Sequence, residues 1–96
     1  MKTVVLETAL DDLETGFRFY ERQAPGLGDY FLDTMWADID LLQLYAETHI
    51  KLFGYYRMLL KRFPYAVYYN VEDNVICVHA VFNCRQNPMR IHKRLG

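Results

Sequence analysis

The hydrophobic period of this chain changes once, and that change limits what it can fold into more than any other feature. Up to about residue 48, apolar residues recur at helical spacing. Leu10, Leu13, Phe17, Tyr20 and Ala24 form one stripe; Phe31, Met35, Ile39, Leu42 and Ala46 form another. From Phe53 onward the period is two. Tyr56, Met58 and Leu60 alternate with Arg57, Leu59 and Lys61, and Val67, Tyr69 and Val71 alternate with Ala66, Tyr68 and Asn70. Val75–Phe82 is apolar on both parities except at His79, as a strand covered on both faces would be. A chain of 96 residues holds one core, so residues 1–96 are expected to be a single domain in which helices and strands cover each other.

Boundary signals place the elements. Lys2–Leu6 is short and β-branched and reads as a first strand. Thr8 is placed to cap the helix that follows, with Asp11 and Asp12 in its first turn. Pro25-Gly26-Leu27-Gly28 ends that helix, and a second is expected from about Asp29 to Thr48. So short a link makes the two an antiparallel hairpin. Phe63-Pro64 marks a corner between strands, Glu72-Asp73-Asn74 a turn, and Asn87-Pro88 the start of a short terminal helix or turn. The expected fold is α+β, in the order β-α-α-β-β-β, with a helical hairpin on one face of an antiparallel sheet. Phe19 points off the first stripe, and Trp36 and Leu44 lie off the second, where a solvated helix would carry polar groups.

Strand parity nominates a functional face. With Tyr56, Met58 and Leu60 toward the helices, Arg57 and Lys61 point the other way. Taking Ile76, Val78, Ala80 and Phe82 as the core set of the last strand sends His79, Asn83 and Arg85 to that same side, and the tail adds Arg90, His92, Lys93 and Arg94. Arginine forks suit phosphate oxygens, and a histidine moves protons near neutral pH. On RNA, such a group would deprotonate a 2′-hydroxyl while arginines hold the developing charge. The plainer reading is a solvated basic face without chemistry.

Other chemistries find little support. Cys77 and Cys84 lie seven apart in one strand, roughly 23 Å at about 3.3 Å per residue, so they do not bridge. No metal-ligand spacing, glycine-rich phosphate loop or nucleophile elbow occurs, so no metal or cofactor is expected. There is no secretory leader pattern and no apolar run of membrane-spanning length, which reads as a cytoplasmic protein with no membrane partner. The net charge of −1 hides a segregation. Residues 1–49 hold three Lys/Arg against ten Asp/Glu, and residues 50–96 hold eight against two.

Three blocks of residues resemble the RelE/ParE superfamily of type II toxin–antitoxin and plasmid-stabilisation proteins. The first is Ala9, Asp12 and Leu13, then Phe19-Tyr20-Glu21, Gln23, Pro25-Gly26-Leu27-Gly28 and Phe31. The second is Tyr56-Arg57, Lys61-Arg62-Phe63-Pro64-Tyr65, Val67 and Tyr69. The third is Val78, Val81-Phe82, Arg85, Pro88 and Arg94. The resemblance implies a toxin neutralised by a cognate antitoxin, with Phe19, Trp36 and Leu44 as candidate partner contacts. It implies one of two activities. A ParE-like toxin binds DNA gyrase. A RelE-like toxin is a ribosome-dependent, metal-independent endoribonuclease cleaving mRNA, for which Arg57, Arg85 and His92 are the catalytic candidates. Lys61, Arg62, His79, Asn83, Arg90 and Arg94 are candidate target contacts in either case. The Pro-Gly-Leu-Gly link, the Arg-Phe-Pro-Tyr segment and the absence of a strong positive charge favour the ParE-like branch. A toxin-like interaction protein without toxicity is a further alternative, and a homodimer is left open.

Overall fold

The hydrophobic stripes of the N-terminal half do pack on the sheet, but the phase of the first differs from its apolar count. The computed structural model describes residues 1–96. It comprises β1 (Lys2–Val5), α1 (Glu7–Gln23), α2 (Leu27–Asp40), α3 (Leu42–Tyr45), β2 (Lys51–Leu52), β3 (Tyr55–Leu59), β4 (Tyr65–Glu72), β5 (Val75–Asn83) and α4 (Pro88–Leu95). In α1 the buried residues are Ala9, Leu13 and Gly16, with Tyr20 packed beside them, whereas Leu10 is 42% exposed. The small residues win because the helix lies close to its neighbours. A Cβ on Gly16 would stand 2.6 Å from the Phe31 ring, and one on Gly28 would stand 2.8 Å from Phe17. α1 and α2 therefore cross at glycines, which brings Phe31, Met35 and Ile39 fully into the core. Each such side chain contributes about 1.5–3 kcal/mol of burial.

Thr8 does not cap α1. The cap position is Leu6, without a side-chain bond, and the Thr8 hydroxyl donates instead to the His79 carbonyl at 3.1 Å, tying α1 to β5. The link after α1 turns at Gly26, whose φ of 87° suits glycine. The Glu21 carboxylate accepts from the Gly26 and Gly28 amides there. The second helix is shorter than its hydrophobic period. α2 stops at Asp40, α3 adds one turn, and the chain then leaves the helix through Glu47 at φ 69°, whose N–H donates to the Tyr69 hydroxyl.

The sheet order is β1-β5-β4-β3-β2. It is mixed: β1 runs parallel to β5, and the other pairs are antiparallel. Asp73 and Asn74, both at positive φ, make the tight β4–β5 turn. One core of fourteen buried residues lies between α1–α3 and the sheet. The sheet's other face carries a second cluster of Ala66, Tyr68, Ala80, Phe82 and Ile91, and Ile91 belongs to α4. Helices thus cover both faces. Asn87 caps α4 by accepting from the Met89 amide, and Pro88 occupies its first turn. Cys77 and Cys84 are both free thiols. No helix is long and apolar enough to cross a membrane.

Candidate functional site

β5 carries one residue more than β4 opposite it. Tyr68 pairs with Ala80 and Tyr69 with Val78, so His79 is a bulge without a partner. Before the bulge, Ile76 and Val78 face the α1–α2 core; after it, Val81 faces that core while Ala80 and Phe82 join the opposite cluster. Asn83 therefore pairs with Tyr65 on the helix side, and Arg85 emerges beside α1. This corrects the expected placement of Asn83 and Arg85 with Arg57.

Arg57 lies on the face away from the α1–α2 hairpin. Its Nε donates to the Tyr68 hydroxyl at 3.1 Å. The His79 and Tyr55 rings meet nearby, 4.9 Å apart. Arg57 lines a groove with Ile50, Leu52 and Leu59, and beyond that groove α4 covers part of this face. Ile91 is buried there, and His92 stacks on Phe53 with ring centroids 4.6 Å apart. His92 is thus a packing partner of Phe53 and is not grouped with Arg85. Arg94, expected to contact a target, is already engaged. Its guanidinium lies over Phe82, makes a two-pronged ion pair with Asp12 at 2.9 and 3.1 Å, and donates to the Thr8 carbonyl. Asp12 also accepts from the Val81 amide at 3.0 Å. Burial pushes the Asp12 carboxyl up; the bonds from Arg94 and Val81 oppose that push without cancelling it.

Lys61 and Arg62 follow β3 and turn toward α2, away from Arg57. They line a cavity of about 590 Å³ with Asp38, Tyr45 and His49. Arg62 donates to the Tyr30 hydroxyl at 3.3 Å. Asp38 is raised by burial, against the pull of Arg62 and Lys61. His49 is lowered by burial, and its Nδ1 lies 2.6 Å from the Tyr69 hydroxyl.

Arg85 and Arg90 share a cavity wall with Phe19, Tyr65 and Asn83, so those sequence-nominated residues do meet, on the α1 side. Of the partner candidates, Phe19 is 51%, Trp36 37% and Leu44 74% exposed. They do not form one patch. Trp36 lines a groove between α1 and α2 with Leu10, Phe17 and Leu32, Phe19 belongs to the Arg85 wall, and Leu44 stands on α3. The roles of Leu10 and Leu32 in that groove, and of Tyr65 in the Arg85 wall, escape the sequence pattern. Leu10 reads as part of the core stripe and Tyr65 as a packed strand tyrosine, while Leu32 lies off the second stripe and carries no signal. No group of three or more His, Cys, Asp or Glu side chains is placed to hold a metal ion.

No family model matches the sequence, and no curated protein matches it. Among solved structures, a chain of the chromosomal ParDE TA system from P. aeruginosa is similar, with a TM-score of 0.78. The match covers 86% of this chain and 95% of that one, at 17% sequence identity. Two helices after a first strand, packed on a sheet of the later strands, are common to the sequence expectation and to the structure. The chain has the fold of a ParDE toxin–antitoxin chain.

Proposed function

We propose that this protein is the toxin of a type II toxin–antitoxin pair, of the ParE-like kind, which acts by binding DNA gyrase and is neutralised by a cognate antitoxin. The fold likeness supports the toxin–antitoxin part. The observation that carries the choice of branch is the His79 bulge. A RelE-like nuclease of this chain needs Arg57, Arg85 and His92 around one phosphate. The bulge sends Arg85 to the α1 side, and α4 holds His92 against Phe53. A protein that acts by occupying its target needs no such convergence. The Trp36 groove between α1 and α2, apolar and flanked by Glu14 and Asp29, suits an apolar, basic antitoxin segment.

The test is a supercoiling assay with purified gyrase, paired with induced expression with and without the neighbouring open reading frame. Inhibited supercoiling, growth arrest with DNA-damage signalling, and rescue by the neighbour are expected. Normal supercoiling at saturating protein overturns the gyrase target, and harmless expression overturns the toxin itself. Message cleavage in RNA profiles that Arg85→Ala abolishes would return the protein to the nuclease branch.

A further inference from the structure

The cavity walled by Arg85 and Arg90 continues inward. A recess of about 320 Å³ against α1 and one of about 450 Å³ at its mouth share five lining residues, among them Tyr65, Asn83 and Arg90. What distinguishes this recess is its hydrogen-bond balance. Asn83 spends its carbonyl oxygen on the Arg85 amide, and Asn87 spends its own on the Met89 amide. Tyr65 pairs with Asn83 across β4 and β5, and burial pushes the pKa of its hydroxyl up. The Tyr65 proton stays in place and free to donate. Asp12, a carboxylate in the wall, is saturated by the Arg94 guanidinium and the Val81 amide. Arg85 and Arg90 make no ion pair and no side-chain hydrogen bond. The two asparagine oxygens and the Asp12 carboxylate are thus engaged within the fold, while the guanidinium donors of Arg85 and Arg90 are left facing the recess.

We propose that this recess binds a nucleoside phosphate, its phosphoryl oxygens held by Arg85, Arg90 and the Tyr65 hydroxyl and its base lying against Phe19. The donors come from β4, the β5–α4 link and α4, three elements on different sides. A tetrahedral oxyanion accepts from several directions at once, whereas a planar carboxylate is matched by a single fork. Phe19 is half exposed at the mouth, and its ring is braced edge-on by Tyr20 at 5.0 Å. That fixes a flat apolar surface beside the cationic pair, the combination that a base and its phosphate require. This site is independent of the gyrase proposal, so failure of one leaves the other standing.

The experiment titrates the full chain at low salt with inorganic phosphate, nucleoside monophosphates, an unphosphorylated nucleoside and a short 5′-phosphorylated oligonucleotide. The monophosphates are expected to bind more tightly than phosphate or nucleoside alone. Arg85→Ala and Arg90→Ala should each weaken them about tenfold or more. Phe19→Ala should reduce nucleotide binding to the level of phosphate and leave phosphate binding unchanged. These three side chains are exposed, so the urea midpoints of the variants should match the parent. Tighter binding of the oligonucleotide assigns the ligand to a strand end, and tighter binding of the mononucleotide to a free nucleotide. No response to any phosphate probe at millimolar concentration overturns the site. So does unchanged affinity in the double arginine variant, or response to an acidic peptide alone.

Discussion

At position 79 one extra residue in β5 changes the face of every side chain that follows. Because Arg57 and Arg85 fall on opposite sides of the sheet, they should act independently. Whatever their single effects on target affinity, Arg57→Ala and Arg85→Ala should combine to within about 0.5 kcal/mol of the sum in a double-mutant cycle. Strong coupling would place them in one site after all. Gly16 offers a second residue-scale test. Its Cβ position lies 2.6 Å from the Phe31 ring, which is fully buried and also packed against Tyr65, so Gly16→Ala should lose about 1–3 kcal/mol by urea unfolding. Asp12 gives a third. Burial raises its carboxyl above the ordinary 3.8, so the folded state holds that proton more tightly than the unfolded chain does. Its contribution to stability therefore falls as pH rises through the window just above 3.8. The unfolding free energy of the parent minus that of Asp12→Asn should shrink across that window. A difference that grows with pH would mean that Arg94 and Val81 outweigh burial. Of these residues, only Arg57 was placed correctly by parity. The bulge left no trace in the sequence because Val78, Ala80, Val81 and Phe82 are all apolar, and an apolar run covered on both faces looks the same in either phase.

Among the elements, the buried face of α2 was legible and that of α1 only in part, through Leu13 and Tyr20. Phe31, Met35, Ile39 and Leu42 are large, so their spacing announces the buried face. In α1 the close contact is made through Ala9 and Gly16, which carry almost no weight in a hydrophobic pattern, whereas the larger Leu10, which does, stays exposed. β2 is two residues long, too short for any periodic signal. α4 was expected as a short helix or turn, but its position across the sheet depends on contacts 82 residues apart in sequence. That contact yields a prediction at this scale. Arg94→Ala removes both bonds to Asp12 and the bond to the Thr8 carbonyl, leaving Ile91, Leu95 and the His92–Phe53 stack as anchors. A loss of roughly 1–3 kcal/mol is expected for these charge-assisted bonds. It should appear in hydrogen exchange as faster exchange of the α4 amides while β4 and β5 stay protected. Equal loss of protection in α4 and the central strands would show that the helix is part of the cooperative core.

Across the whole molecule, acidic helices lie on a sheet whose strands and tail are basic, yet only one ion pair, Asp12–Arg94, joins the two halves, the other (Glu14–Arg18) lying within α1. Most of the charge is therefore free to act at long range. Raising salt from about 0.02 to about 0.15 M should slow association with the proposed gyrase target roughly tenfold in stopped-flow measurements, while shifting stability by less than about 1 kcal/mol. Association that ignores salt would leave the charge segregation without a role. The coarse architecture was readable because one change of period separates helix from sheet. The parallel seating of β1 was not, since a four-residue strand fits either direction equally well. That seating bears on how the chain is made. β1 pairs only with β5, through Lys2–Val5 and Val75–Val78, so its strand partner lies far along the chain and is made well after it. Throughout that interval the backbone edge of β1 is open, and a protein with an extended segment to offer can claim it before the domain has closed upon itself.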